Sequence, residues 1–294
     1  MGLKDILVCL DPTDAGESRL RLAAAIARQH RAHLSAAYVL PHEAPGGRRP
    51  VTVGVDVPTG AGWLPQGSIV AGVPAPGVPP AAGAALAEII EQRFREEVQP
   101  HAIEGDWHLF AEGEGEGLAA LLKAVDLAVF GQASPDARVP AGFRPEDIII
   151  ASGRPMLVVP YAGAFGAVGR RVLVAWDGTR EASRALHDAL PLMEKAEAVT
   201  VMTVHAREAS FGRDGPLLGR IVRHLERHGI PARPEETLRG DIPISDLVLS
   251  RASDLDVDLI VAGAYHHSPL REALIGGVSR ELLDHMTVPV LMSH

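Results

Sequence analysis

Short unbroken apolar runs recur along the chain, each followed by a longer stretch whose apolar residues return at helical spacing. Runs rich in Val, Ile and Leu that do not alternate with polar residues predict strands buried on both faces, as in a parallel sheet. In the second half the pattern predicts strands near 171–177, 198–205, 232–238, 258–263 and 288–293. Helices are predicted near 180–195, 214–229, 243–255 and 277–286. Strand–helix alternation of this kind predicts an α/β fold with helices on both faces of an open sheet. The first half follows the same plan except at 41–83, a Pro- and Gly-dense insertion.

The two halves also match each other. "DILVCLDPT" (5–13) pairs with "RVLVAWDGT" (171–179), and each leads into a helical stretch containing Ser-Arg. "HLSAAYVL" (33–40) pairs with "AVTVMTVH" (198–205), "DLAVFG" (126–131) with "DLIVAG" (258–263), and "GRPMLVVP" (153–160) with "TVPVLMSH" (287–294). Four matched segments in one order identify a tandem duplication. The expected domains are 1–160 and 170–294, joined by the small-residue linker 161–169.

Composition narrows the partners. At 294 residues the chain can bury two cores of ordinary size. Twenty-eight Lys and Arg against 37 Asp and Glu leave a net charge of −9, which argues against nucleic acid as the main partner. A single cysteine, Cys9, can close no internal disulfide, which fits a reducing compartment. No signal layout and no membrane-length apolar run are present, and Ile6 breaks the myristoylation pattern of "MG". The expectation is a cytoplasmic protein without membrane partners.

The repeat and the loop "GAYHHSPLREALIGGVSRELL" (263–283) together resemble a tandem universal stress protein, over nearly the whole chain outside 41–83. The family's signature is glycine, two residues, glycine, nine residues, then glycine and Ser or Thr. Here Gly263 and Gly276 hold the outer glycine positions, His266 replaces the second glycine, and Gly277 stands where Ser or Thr is usual, with Ser279 two residues on. The resemblance implies a five-stranded parallel sheet of order 3-2-1-4-5 in each half, giving two tandem open sheets. It also implies pairing of the last strands, placed here between 155–160 and 288–293, and a homodimer.

Ligands of open α/β sheets bind beyond the carboxyl ends of strands, where strand order reverses. Carried over from the family, Ala175, Trp176 and Asp177 are expected to contact adenine or ribose, and Val204 to line the adenine pocket. Ala262 and Gly263 would begin the loop, and Gly276, Gly277, Val278 and Ser279 would hold the phosphates of ATP, with Mg2+ as companion. Helix N-termini bind anions in this way. Two residues of the loop are added on chemical grounds: Arg271 as a phosphate counter-charge, and His266 as a donor or a steric block. His266→Gly separates those two roles, because relief of a block strengthens ATP binding.

The first half lacks paired glycines after Gly131. Asp136, Glu146 and Asp147 add negative charge there, so ATP is not expected in it. "EGEGEG" (112–117) reads as a solvated loop rather than a metal site. His205, His266 and His267 lack a carboxylate cluster at ligand spacing, and His224 and His228, spaced i,i+4, read as exposed helix surface. Cys9 reads as a buried small hydrophobe, and the 41–83 insertion as a lid, a dimer arm or a mobile loop. Three functions follow: a nucleotide-linked stress-response regulator, a nucleotide-independent scaffold, or, third, a slow ATPase. No Ser-His-Asp ordering, nucleophile elbow or Walker loop occurs in the sequence, so no catalytic residues are expected.

Overall fold

The structure, a computed structural model, describes residues 2–40, 81–111, 114–133, 145–206, 212, 215–264 and 277–294. The first half runs β1 (Asp5–Leu10), α1 (Asp14–His30), β2 (His33–Leu40), α2 (Ala81–Val98), β3 (Trp107–Ala111), α3 (Gly115–Leu122), β4 (Leu127–Gly131), α4 (Pro145–Ser152) and β5 (Met156–Val159). The second repeats it as β6 (Arg171–Ala175), α5 (Arg180–Met193), β7 (Ala198–His205), α6 (Gly215–Arg227), β8 (Ala232–Leu238), α7 (Ile244–Asp254), β9 (Leu259–Gly263), α8 (Gly277–His285) and β10 (Val290–Ser293).

Every strand and helix expected in the second half forms within a few residues of its expected bounds. In the first half two local expectations change. The insertion's last residues, from Ala81, already belong to α2, and the end of "EGEGEG" from Gly115 opens α3. Residues 41–80 lie outside the described residues, as do Asp136 and the side chains of Glu146 and Asp147.

Each half has strand order 3-2-1-4-5, but the two halves do not make separate sheets. All ten strands form one sheet, β3-β2-β1-β4-β5-β10-β9-β6-β7-β8. Within each half the pairs are parallel, and the seam is antiparallel, with Val290 opposite Val158, Leu291 opposite Leu157 and Met292 opposite Met156. All six of those side chains are buried, so the seam is core rather than contact surface. The edges of β5 and β10, which would otherwise need a second chain to cover them, satisfy one another.

Alternation along the strands sends side chains to two apolar layers that cross the seam. Ile6 and Val8 join the layer under α1, α2, α5 and α6, while Leu7 joins the layer under α3, α4, α7 and α8. The repeated Asp of "DLAVFG" and "DLIVAG" explains itself in this frame. Asp126 accepts the amides of Lys4 and Asp5 at 2.7 and 3.2 Å, fixing the start of β1. Asp258 does the same before β6, accepting from Gly169 at 2.7 Å and from Arg170.

Candidate functional site

Strand order reverses between β1 and β4 in the first half and between β6 and β9 in the second, so both crevices open at the carboxyl ends of those strands. In the second half, Ala175 at the end of β6 lies beside Ala262 of β9 and Met202 of β7. Ala175 and Val204 are partly buried against the α7–α8 layer, to which Ala262 belongs. They form an apolar floor. Gly263 ends β9 just beyond it, where a Cβ would stand 2.6 Å from the amide nitrogen of Ala182. Bare backbone there lets α5 start close to the strand end.

The Asp-x-Thr motif builds the next element. Asp177 Oδ1 accepts from the Thr179 amide at 3.0 Å and from its hydroxyl at 2.6 Å. Thr179 Oγ1 in turn accepts from the Ala182 amide at 3.1 Å, capping α5. That leaves Asp177 Oδ2, which has no partner among the described residues. The first turn of α8 completes the described part of the crevice: Gly277 and Val278 are exposed, and Ser279 Oγ lies 3.5 Å from the Gly263 carbonyl oxygen. Its leading amides have no partner within the helix, which makes that end a donor set for an anion.

Trp176 takes a different place from its neighbours. Its amide donates to the Met202 carbonyl at 2.8 Å, and its indole, 6% exposed, packs in the α5–α6 layer rather than with Ala175 and Val204. The ring therefore fills core and has little surface left for a base. Of the expected site residues, Ala175, Asp177, Val204, Ala262, Gly263, Gly277, Val278 and Ser279 gather at the crevice. His266, Arg271 and Gly276 lie outside the described residues.

In the first half the same motif has a different outcome. Asp11 Oδ1 accepts from the Thr13 amide at 3.0 Å and from its hydroxyl, and Thr13 Oγ1 caps α1 through the Gly16 amide at 3.1 Å. Asp11 Oδ2, however, is taken by Arg19 Nη2 at 2.5 Å. Burial pushes the Asp11 carboxyl up, but the Arg19 guanidinium and the bonds from Thr13 outweigh it and hold its pKa below the ordinary value. Cys9, two residues earlier on β1, is partly rather than fully buried, and loss of solvent pushes its thiol pKa up to about 12.

Arg19 was hidden by the repeat itself. Ser18-Arg19 and Ser183-Arg184 look equivalent, but counted from the capping Thr13 and Thr179 they are one residue out of register. One residue is about 100° of helix. Arg19 is therefore buried, whereas Arg184 is exposed and pairs with Asp188 at 3.0 Å. The true counterpart of Arg19 is the fully buried Ala185.

The histidines divide. His205 is buried, its Nε2 2.7 Å from Glu236 Oε2, which also accepts the Gly212 amide at 2.9 Å. His224 is half-buried rather than exposed, and its ring lies 5.1 Å from that of His187 and 4.7 Å from that of His228. No group of three or more metal-ligating side chains suited to an ion occurs among the described residues. Nor is any described helix long and apolar enough to cross a membrane.

The family model for the universal stress protein family matches residues 169–294. That stretch is a universal stress protein domain. For the chain as a whole the likeness is one of fold. A universal stress protein from Archaeoglobus fulgidus aligns over 98% of this chain and 94% of its own, with 14% identity and a TM-score of 0.69. A putative universal stress protein from Pseudomonas aeruginosa aligns over 98% and 92%, with 18% identity and a TM-score of 0.60. A universal stress protein in complex with cAMP aligns over 55% of this chain and all of its own, but at 14% identity and a TM-score of 0.34. No curated protein matches the sequence.

Proposed function

We propose that this is a cytoplasmic stress-response protein that binds ATP, with magnesium, in the crevice of its second half and acts as a nucleotide-linked regulator rather than a catalyst. The observation that carries the reading is the unengaged Oδ2 of Asp177. A carboxylate oxygen without a partner at a topological switch point can accept a hydroxyl of a ribose. The neighbouring residues fit the rest of the molecule. Ala175, Val204 and Ala262 offer an apolar floor for a base, and the first turn of α8 offers amides for phosphate. Gly276 and Arg271 would extend that phosphate contact.

A scaffold reading applies to the first half, where Asp11 is already engaged by Arg19. A homodimer belongs to the same proposal. Its interface would use the β3 or β8 edges or a helix face, since β5 and β10 pair within the chain.

Calorimetric titration of nucleotide-stripped full-length protein with ATP and magnesium tests the reading. Saturable binding that Asp177→Ala weakens supports it. Folded protein that gives no saturable heat overturns it and leaves the scaffold as the account of both halves.

A further inference from the structure

The two crevices begin from the same motif and end differently, and the difference is one side chain. Arg19 is 3% exposed, projecting from α1 toward the carboxyl ends of β1 and β4. Its Nη2 bonds Asp11 Oδ2 at 2.5 Å. Its guanidinium also lies on the bare backbone of Gly131, the last residue of β4: a Cβ built there would overlap Arg19 Nη1 and stand 2.9 Å from Cζ. Among the described residues, the three atoms nearest that position all belong to Arg19. In the second half the space beside Gly263 is taken by the first turn of α5, and Ala185 replaces the arginine.

We infer that Arg19 is a built-in occupant of the first half's crevice: its guanidinium, held between Asp11 and Gly131, fills the acceptor that Asp177 leaves free and shuts that half to small polar ligands. The pairing is chemically apt, because a planar guanidinium is a carboxylate's closest-fitting cation. The chain is then a one-crevice protein built from two copies of a one-crevice unit. This inference does not depend on what the second half binds. It predicts a positive property as well: without the arginine side chain, the first half becomes a site for a small guanidinium cation.

The test uses the full-length protein and ethylguanidinium at millimolar concentration as the probe. Arg19→Ala is expected to melt lower than the parent and to regain stability, saturably, as ethylguanidinium is added; the parent and Arg19→Met gain nothing. Rescue is expected to vanish when Asp11→Asn is combined with Arg19→Ala. If Arg19→Ala does not fold unaided, refolding yield with and without the probe is the readout, and an unchanged yield overturns the inference. A double-mutant cycle gives an independent check. Gly131→Ala must displace the guanidinium in the parent but loses its three nearest neighbouring atoms in the Arg19→Ala background, so its cost is expected to shrink there. Additive costs, or equal stabilisation of parent and variant by the probe, overturn the inference. Two nucleotides bound per parent chain would also overturn it, while leaving the nucleotide reading of the second half intact.

Discussion

Gly263 approaches Ala182 so closely that a Cβ on the glycine would stand 2.6 Å from the alanine's amide nitrogen. The carbonyl carbon of Glu181 is nearly as close, at 2.8 Å. Both neighbours are backbone at the start of α5 and cannot swing away as a side chain would. Gly263→Ala is therefore expected to push α5 off β9 and cost about 1–3 kcal/mol, the usual range for overpacking a filled site. Urea unfolding measures it. Gly277→Ala is the comparison, since nothing among the described residues lies within 4 Å of the Cβ it adds, and its effect should stay within about 0.5 kcal/mol. Equal effects at the two glycines would refute the close approach.

Asp11 and Asp177 should respond unequally to the same change. Asp→Asn keeps the size of the side chain and an oxygen for the cap, but removes the charge. At Asp11 it strands a guanidinium whose side chain is 4% exposed. Breaking a fully buried pair costs about 3–5 kcal/mol; the carboxylate here is 40% exposed, so the loss should fall below that range. At Asp177 no arginine is stranded, and the loss should be within about 1 kcal/mol. Acid erases the difference. The Asp11 pKa is lower folded than unfolded, so its contribution is complete above the unfolded value near pH 3.9 and fades as pH falls through the folded one. The gap between parent and Asp11→Asn, followed by urea unfolding at several pH values, should therefore close only below about pH 4.

Much of this arrangement was legible in the sequence, and the reasons can be traced residue by residue. Leu259, Ile260 and Val261 form an unbroken apolar run because β9 is covered on both faces, and its burial follows directly. Thr13 and Thr179 announce helix starts because a hydroxyl there can accept a first-turn amide. Arg19 was not legible, because a dipeptide match carries no rotational information and a shift of one residue moves a side chain from surface to core. Trp176 was legible only as a bulky residue at the right place; the face it occupies depends on strand register. Nor does the motif Asp-x-Thr reveal whether its second carboxylate oxygen is free, since the answer lies at a residue eight positions on in one half and absent in the other.

Gln132, the residue after β4, ties the first half to the far end of α8. Its amide nitrogen donates to the carbonyls of Leu283 and Asp284 at 2.8 and 3.0 Å, and its side-chain oxygen accepts from the Tyr161 amide at 3.2 Å. Carbonyls in a last helical turn lack partners within the helix, so the side chain caps α8 from the other half of the chain. Its counterpart after β9 is Ala264, which has no side-chain amide to offer, so the strut runs one way. Gln132→Ala is expected to cost about 1–2 kcal/mol, given about 0.5–1.5 for each net bond. Hydrogen exchange should quicken in the last turn of α8 and at Tyr161, with β1 unaffected. Uniform acceleration over the whole chain would mean that only global stability had changed.

The ring cluster of α5 and the end of α6 sets a pH dependence of the same sign as that of Asp11 but in a higher pH range. His224 packs between His187 and His228, and its Nε2 is buried with no hydrogen-bond partner among the described residues. Loss of solvent lowers its pKa first, and charge on His187, His228 and Arg227 lowers it further. Because the folded pKa lies below the unfolded one, the unfolded chain takes up the proton more readily. The folded state is thus fully favoured above the unfolded value of about 6.5 and loses this advantage as pH falls through that value toward the folded pKa. NMR titration of the ring protons should place the His224 midpoint below the ordinary histidine value. His187→Gln removes one of the repelling charges and should move the His224 midpoint upward, while Arg184→Gln, on the same helix but outside the cluster, should leave it in place. A midpoint at or above the ordinary histidine value in the parent would refute the packing of the three rings.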